Sequence, residues 1–436
     1  MDERDGVVRC AYELDGQPFV ETISVGGGYE WTPAAYEAAR LVHLLAGVSY
    51  YKAGAARAID LGDLPARPGE RAFLRSFYLD GLGEFAYRNG ISLNDVEITG
   101  GVDAGSAVPA AVDTDRPLVP FGGGIDSLVS VDIVAASLPD TALFVVNRSG
   151  NRFEAIERGA VATGLPVLRA EREIDGRILR PADPAAVFNG HVPITGVLSA
   201  IAVLVAVLDG RGMVVMSNEW SASRGNLVVA GRRVNHQFSK SGAFENGFRK
   251  VLAGAFGGGG GPDFFSLLRP FSELWVAQRF AALTPFHGVV HSCNRAFHLD
   301  PGQRVDHWCG RCDKCCFVDL ILSPFVAAPA LAAIFGGREP LADATLVPQF
   351  RALVGAGDER KPFECVGDVD ECRTAVALAC ERADRADRAG NAVLAALVAE
   401  LGPGAVAAAR ADAGRLLQPL GPHNIPGALF TAAALA

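Results

Sequence analysis

The chain has 436 residues, half of them apolar, so it can bury a substantial core and form two or three domains. Its formal net charge of -9 and its pI of about 5.5 exclude a general basic surface for a nucleic-acid backbone. The acidic, polar N-terminus argues against a secretory signal and favours the cytoplasm. The longest apolar run, 197–208, is too short to span a bilayer, so we expect a buried helix and neither membrane nor nucleic-acid partners.

The first part of the chain predicts a small α+β domain over residues 1–110. Residues 7–25 alternate apolar and polar side chains around Asp15-Gly16, a pattern typical of a β-hairpin. From residue 32 to residue 89 the apolar spacing is helical, and Thr32-Pro33 has the residue types of a helix N-cap and first helical position. Residues 100–116, rich in Ala, Gly and Asp, are expected to form a linker.

Residues 117–324 predict an α/β domain with a parallel sheet, because short β-rich runs alternate there with helical stretches. The strand candidates are 118–121, 142–146, 167–169 and 213–217. Ligands of such sheets bind beyond the carboxyl ends of the strands, so we expect the site in the loops that follow these strands.

Two glycine-rich or alanine-rich stretches complete the chain. Five consecutive glycines, residues 257–261, predict a flexible connection, with a mobile lid as the alternative. The Ala-rich residues 325–436 predict a helical C-terminal region with breaks near 336–337 and 402–404.

A glycine-rich turn joins the first predicted strand of the sheet to a helical run, and it consists of Gly122, Gly123 and Gly124 followed by Ile-Asp126-Ser127. Glycines let successive backbone N–H groups face a phosphate, and the helix N-terminus adds the positive end of its dipole. Ser127 offers a hydroxyl to phosphate, and Asp126 offers a carboxylate to Mg²⁺. The turn therefore predicts a nucleotide phosphate site; the alternative is a turn that needs glycine for geometry alone.

This turn resembles the SGGxDS signature of the PP-loop ATP pyrophosphatases, over a match that covers residues 117–322. The resemblance implies an adenine nucleotide alpha hydrolase-like core in which a substrate oxygen attacks the α-phosphate of ATP and pyrophosphate leaves. The chain departs from the signature at Gly122, where the family has serine, so one hydroxyl contact to phosphate is missing. The lysine that precedes the serine in Walker-type loops is absent, which disfavours γ-phosphoryl transfer.

A cluster of cysteines has the spacing of metal ligands. Cys309, Cys312 and Cys315 are separated by two residues each, and Cys293 lies upstream. Paired C-x-x-C turns place thiolates at tetrahedral separation, so these four cysteines predict a closed, structural Zn²⁺ site. Reduced buried thiols and a redox C-x-x-C motif are the alternatives.

A dense polar segment, residues 217–241, follows the fourth predicted strand. Its guanidinium groups are candidates for binding an anionic substrate because they pair bidentately with carboxylate and phosphate. These are Arg224, Arg232 and Arg233. The candidate proton-transfer groups are Glu219, His236 and Lys240. His236 is the leading base because its usual pKa is near neutrality, whereas Lys240 requires a pKa lowered by burial. A solvated loop is the alternative.

Longer stretches of the same region are similar to one particular family. They are residues 217–219, 234–241, 292–297 and 308–315. The family is that of the ATP-dependent UDP-N-acetylmuramoyl-L-alanyl-L-glutamate epimerases of peptidoglycan synthesis. The resemblance implies an isomerase that uses ATP and Mg²⁺ to invert the terminal L-glutamate of an anionic, UDP-linked muramoyl dipeptide. Adenylation would remove the negative charge of the carboxylate and make loss of the neighbouring Cα proton feasible.

Three other functions remain open from the sequence. A ligase like the deazaguanine nitrile synthases would use the same loop and cysteines but leaves the N-terminal hairpin domain unexplained. A tRNA-thiolating enzyme conflicts with the negative net charge. A nucleotide-binding module without turnover is compatible with Gly122 in place of serine.

Overall fold

The computed structural model describes residues 5–185, 187–229, 231–298, 300–357, 361–385 and 391–435, and its centre is a seven-stranded sheet. The strands are β1 (Val7–Leu14), β2 (Gln17–Ser24), β3 (Ala58–Asp60), β4 (Glu97–Thr99), β5 (Asp113–Pro120), β6 (Ala142–Asn147), β7 (Val167–Glu173), β8 (Arg211–Met216), β9 (Leu227–Val229), β10 (Arg232–Val234) and β11 (Asp263–Ser266). The central sheet has the order β1-β2-β7-β6-β5-β8-β11, and the five strands from β7 to β11 in this order are parallel.

Helices cover both faces of this sheet and form the whole C-terminal region. They are α1 (Pro33–Ala46), α2 (Val48–Gly54), α3 (Pro68–Gly81), α4 (Gly83–Asn89), α5 (Ile125–Ser137), α6 (Glu154–Thr163), α7 (Gly176–Leu179), α8 (Ile194–Leu208), α9 (Gly242–Phe256), α10 (Glu273–Ala282), α11 (Asp313–Leu322), α12 (Ala328–Ile334), α13 (Val347–Val354), α14 (Val369–Ala379), α15 (Ala392–Leu416) and α16 (Gly427–Leu435). The predicted α/β class, with a mostly parallel sheet and a helical C-terminal region, is confirmed.

The N-terminal hairpin forms as the alternation of its side chains predicts. Asp15 and Gly16 both adopt positive φ, 51° and 75°, which is the backbone conformation of a tight two-residue turn. The hairpin does not stand apart, however, because β2 pairs antiparallel with β7 and so extends the central sheet. The buried side chains of Val8, Cys10 and Ile23 tie it to the same core as the helices that follow.

Those helices begin where the capping residues predict. The Thr32 hydroxyl accepts a hydrogen bond from the Ala35 N–H, and Pro33 is the first residue of α1.

Two hydrophobic cores lie on opposite faces of the sheet, because successive side chains of a strand point to opposite sides. On β5, Leu118 packs into the core formed with α1, α8 and α9, whereas Val119 packs into the core formed with α5, α10 and the C-terminal helices. Strands buried on both faces read as continuous apolar runs, which is why the sequence identifies β5 to β8. The apolar run 197–208 is the buried helix α8, as predicted.

The sequence misses β11, a strand of four residues that directly follows the glycine run. The glycine run lies at the end of the sheet opposite to the carboxyl ends of the strands. A groove of about 720 Å³ at this end is lined by Thr114, Gly212 and Asp263, which lie at the beginnings of their strands. The Gly260 carbonyl accepts a hydrogen bond from Ala110. The run therefore lies at the amino edge of the sheet, away from the loops that follow the strand carboxyl ends.

The C-terminal helices break where the glycines predict. Gly336 and Gly337 adopt positive φ after α12, and Gly402 is non-helical within α15. In the described part of the chain, α15 is the one helix long and apolar enough to cross a membrane by length and composition alone, and Gly402 divides it into two shorter helices.

Candidate functional site

The candidate site lies at the carboxyl edge of the parallel strands, where the strand order reverses between β5 and β8. From β5 the chain continues to β6 and β7 on one side and returns to β8 and β11 on the other. Loops that leave neighbouring strands in opposite directions open a crevice for a ligand. The glycine turn after β5, residues 217–219 after β8 and residues 267–269 after β11 line this crevice.

The glycine turn is shaped by close packing. Gly123 has a φ of 76°, and a Cβ there would lie 2.6 Å from the Ala155 carbonyl oxygen. The Gly123 carbonyl accepts a hydrogen bond of 3.1 Å from the His291 backbone N–H. A Cβ on Gly122 would meet nothing within 4 Å, so this position is open toward the crevice. The Ser127 hydroxyl donates to the Gly124 carbonyl over 2.9 Å, which closes the turn onto the start of α5.

Several buried polar atoms beside the turn have no hydrogen-bond partner among the residues that the structure describes. They are Asp126 Oδ1, Ser217 Oγ and Ser292 Oγ. A buried polar group without a partner costs about 1–3 kcal/mol, so a protein retains a group of them where a ligand supplies the partners. The crevice therefore has the chemistry to bind a polar, hydrogen-bonding ligand.

Three carboxylates meet at the floor of the crevice. Oxygens of Asp126, Glu219 and Glu273 all lie within 4.8 Å of one another. Burial, together with the charge of Glu219, raises the pKa of Asp126 to about 6, against the opposing charges of Lys314 and Lys240. Oxygen ligands at this spacing suit a Mg²⁺ ion, which would offset their mutual repulsion.

Lys240 and His236 form the second half of the site, next to the carboxylates. Burial lowers the pKa of His236, but hydrogen bonds to Cys365 and Glu84 outweigh burial and raise it to about 9. The ring of His236 packs against that of His191, with 4.1 Å between centroids and a tilt of 36° between the planes. The Lys240 ammonium lies 3.2 Å from the Cys365 sulfur, and the charges of Cys365, Glu219 and Asp126 raise its pKa.

These shifts bear on the proton-transfer roles expected from the sequence. Lys240 needed a lowered pKa to act as a base, and the structure gives a raised one, because anionic groups surround it. The raised pKa of His236 favours its protonated form, because Cys365 and Glu84 bond its ring. Glu219 belongs to the carboxylate cluster.

Two of the three candidate arginines are engaged with protein partners. Arg232 bonds Asp80 and Asn94 at 2.7 and 2.8 Å. Arg224 lies over the Trp220 ring at 4.4 Å and pairs with an acidic side chain at the start of α14. Arg233 is exposed on β10. Their role in substrate binding stays a prediction.

A buried arginine that the sequence analysis did not single out holds the two halves together. Arg269 donates to Glu245 in α9 at 3.1 Å, to the Glu219 carbonyl at 2.9 Å and to the Lys240 carbonyl at 2.6 Å. Glu245 is fixed in turn by Asn424, at 2.7 Å. Arg269 thus sets the position of both segments that carry candidate functional residues.

The four predicted cysteine ligands converge. The sulfurs of Cys293, Cys309, Cys312 and Cys315 lie within 4.8 Å of one another, and the closest pair, Cys312 and Cys315, is 3.4 Å apart. Four thiols at this spacing fit the donor set of a tetrahedral Zn²⁺ site. The cluster joins the segment that contacts the glycine turn to the start of α11, where Lys314 lies between two of the cysteines.

Sequence reasoning missed the partners that come from distant parts of the chain: Glu84 from α4, Glu273 from α10, Arg269 and Cys365. Glu273 carried a weak signal, since it follows Ser272, which caps α10 through the Trp275 N–H. No sequence signal indicated Cys365, because it does not have the spacing of a metal ligand to the other cysteines.

Comparison with known proteins gives a consistent result over the whole chain. Residues 1–267 match the family model of the MurL N-terminal domain, and residues 289–412 match that of the MurL C-terminal domain. The two matched regions are separated by residues 268–288.

Curated relatives share one name, UDP-N-acetyl-alpha-D-muramoyl-L-alanyl-L-glutamate epimerase. The protein of Xanthomonas oryzae pv. oryzae is 39% identical over 99% of this chain and 94% of its own length. That of Salinispora tropica is 42% identical over 78% of this chain and 73% of its own length. That of a Micromonospora species is 42% identical over 88% of this chain and 83% of its own length.

The packing of the glycine turn leads to a first prediction. Gly123→Ala should lower the free energy of unfolding by about 2–3 kcal/mol, because it combines a strained φ with a clash against a backbone carbonyl. The control, Gly122→Ala, points into open space and should stay within about 0.5 kcal/mol of the unsubstituted protein. Urea denaturation measures both, and equal losses in the two variants would contradict the geometry.

A second prediction concerns the buried arginine. Arg269→Met should lower the free energy of unfolding by about 3–5 kcal/mol, because the variant leaves Glu245 as an uncompensated buried charge. The control, Arg410→Met, removes an exposed ion pair with Glu381 and should cost at most about 1 kcal/mol. Chemical denaturation followed by circular dichroism distinguishes the two, and a loss below 1 kcal/mol at Arg269 would show that it is not the organising contact.

Proposed function

This chain belongs to the MurL family, and we propose that it epimerises the terminal L-glutamate of UDP-N-acetyl-alpha-D-muramoyl-L-alanyl-L-glutamate to D-glutamate, as a step of peptidoglycan synthesis. The observation that carries the proposal is the 39% identity to an epimerase of that name over 99% of the chain. The proposed partner is thus a small, anionic, UDP-linked peptide. We place the reaction in the cytoplasm, where ATP is available.

The chemistry of the substrate explains why such an epimerase would use ATP. A Cα–H bond beside an ionised carboxylate is very weakly acidic, because the resulting dianion has no place for its second charge. We propose that the carboxylate oxygen attacks the α-phosphate of ATP and pyrophosphate leaves. The acyl adenylate is uncharged at the carbonyl, so loss of the Cα proton gives an enolate, and hydrolysis after reprotonation releases AMP and the product.

The crevice at the carboxyl edge supports a phosphate-binding role. The backbone amides of the glycine turn and the N-terminus of α5 suit the phosphates of ATP, in the manner of a PP-loop. A Cβ at position 122, where that family has serine, would meet no atom within 4 Å. Ser292 has an unpartnered hydroxyl beside the turn. Lys240 and Lys314 supply positive charge between the turn and the rest of the site.

Two metal ions fit the side chains present. Asp126, Glu219 and Glu273 would hold Mg²⁺, which when bound neutralises phosphate charge and the repulsion within the cluster. The four cysteines would hold a Zn²⁺ ion, which stabilises the fold because a closed thiolate site leaves no open position. Lys314 and the 291–293 segment are the parts of the nucleotide crevice that this cluster holds in place.

The third prediction tests the function directly. With ATP, Mg²⁺ and the L-glutamate dipeptide nucleotide, the enzyme should form D-glutamate with one AMP and one pyrophosphate per ATP consumed. Asp126→Asn should lower the rate by about 100-fold or more, because a carboxylate ligand for Mg²⁺ is lost. The control is Asp132→Asn, an exposed aspartate of the same helix, which should keep the rate. Chiral analysis of hydrolysed product and chromatography of nucleotides give the readouts.

Different failures of this assay have different meanings. Formation of ADP and orthophosphate would contradict adenylation while leaving epimerisation intact. Release of pyrophosphate without any D-glutamate would contradict the proposed reaction.

The fourth prediction concerns the cysteine cluster. Purified protein should contain about one Zn²⁺ per chain, and Cys312→Ser should lower both zinc content and thermal stability, because closed thiolate sites are coupled to folding. Cys380→Ser, which changes a surface cysteine outside the cluster, should retain the metal. Elemental analysis by mass spectrometry measures the content. Protein prepared without chelators that contains no zinc would contradict the assignment.

A further inference from the structure

Cys365 occupies the centre of the second half of the site, although no sequence pattern marks it. It lies in the segment between α13 and α14 and is half-buried. Its sulfur accepts a hydrogen bond from the Lys240 ammonium at 3.2 Å and bonds the His236 ring. Its carbonyl accepts a hydrogen bond from Lys314 at 2.7 Å.

An amide side chain links the segment that carries Cys365 to the polar segment after β8, in addition to the contact of Lys240 with the thiol. Asn226 donates to the Pro362 carbonyl at 2.9 Å, and its oxygen accepts the His236 backbone N–H at 3.0 Å. Asn226 thus fixes the thiol and the imidazole relative to each other. Functional side chains keep a defined geometry when hydrogen bonds from neighbouring residues support them in this way.

The charges around the thiol favour its anionic form. Burial raises the pKa of Cys365, but Lys240, His236 and Lys314 outweigh burial and lower it to about 6. The remaining charged groups near the pair are Glu84 and Glu364, and His191 packs on the imidazole. The lowered pKa favours the thiolate beside the Lys240 ammonium, which lies 3.2 Å from the sulfur, and a thiolate has a lone pair that accepts a proton.

The position of the thiol also fits the substrate. Lys240 and Lys314 interact electrostatically both with Asp126 of the carboxylate cluster and with Cys365. A carboxyl group activated at the crevice would therefore lie near the same two lysines as the thiol. A pocket of about 330 Å³ lies next to the segment that carries Cys365, and its lining includes Pro362, Phe363 and Glu364.

We propose that Cys365 is the catalytic residue that exchanges the Cα proton on one face of the activated glutamate. This inference rests on the proposed function. The thiolate takes the proton: the Cα–H bond breaks, an S–H bond forms, the electron pair of the broken bond forms the double bond between Cα and the carbonyl carbon, and the carbonyl π pair moves onto the oxygen to give the enolate. A second donor in contact with water adds a proton to the opposite face, and both groups return to their starting states by exchange with water. His236 and Lys240 are positioning residues that keep the sulfur ionised.

The test separates adenylation from proton exchange in deuterated water. Cys365→Ser and Cys365→Ala should still release pyrophosphate, within about threefold of the wild-type rate, yet lose at least about 100-fold in Cα deuterium incorporation, the scale of general base catalysis. The matched control is Cys380→Ser, a surface cysteine, which should behave as wild type in both assays. Deuterium incorporation at the wild-type rate in Cys365→Ser overturns the proposal. An acyl adduct on Cys365 found by mass spectrometry overturns it as well, since the sulfur would then be a nucleophile.

A second measurement needs no folded variant at Cys365. Alkylation of Cys365 by iodoacetamide, followed on its peptide in wild-type protein without substrate, should rise with pH around a midpoint near 6. His236→Gln should move that midpoint upward, which a merely structural role would not do. A midpoint above 8 in the wild type overturns the proposal. Failure of the proposed function is distinguishable, because a wild-type enzyme that releases no pyrophosphate would fail before Cys365 is tested.

Discussion

The buried guanidinium of Arg269 is the contact on which the arrangement of the site depends. It donates to a carboxylate of α9 and to the carbonyls of Glu219 and Lys240, which lie in separate loops. A buried arginine is tolerated only when its donors are satisfied, so these three acceptors must be present together for the fold to be stable. The same requirement that satisfies Arg269 therefore brings the carboxylate cluster and the lysine of the second half within reach of each other.

The two halves of the site are tuned in opposite directions by their surroundings. In the first half, burial and neighbouring carboxylates raise the pKa of Asp126. In the second, cations lower the pKa of Cys365 while its own charge and that of Glu84 raise the pKa of His236. Groups whose pKa values are pushed apart in this way are typical of acid–base chemistry. Lys240 and Lys314 connect the halves, because each interacts with both.

The cysteine cluster lies next to the site and positions two of its segments. Cys293 follows His291 and Ser292, which contact the glycine turn, and Cys312 caps the helix on which Lys314 lies. Joining these two segments fixes the glycine turn on one side and a lysine on the other. The cluster lies next to the site without being part of its chemistry, in keeping with a closed set of four thiols.

Local sequence patterns were sufficient to predict the features that depend on residues close together in the chain. The hairpin around Asp15-Gly16, the cap at Thr32, the buried strands, the glycine turn and the paired C-x-x-C spacing all follow from local conformation and periodicity, and the structure contains each of them. Long stretches of similarity also indicated the family. It placed His236 and Lys240 in the site region because they follow a strand at its carboxyl end.

The contacts between distant groups, and the effect of these contacts on their charges, are visible only in the tertiary structure. Glu84 and His236 are 152 residues apart, and Lys240 and Cys365 are 125 residues apart, so no local pattern connects them. A pKa depends on burial and on the charges nearby in space, which is why His236 and Lys240 were expected as bases although the structure raises the pKa of both. For the same reason the sequence did not indicate Cys365, because a cysteine is recognisable as a base only after its cationic partners are known.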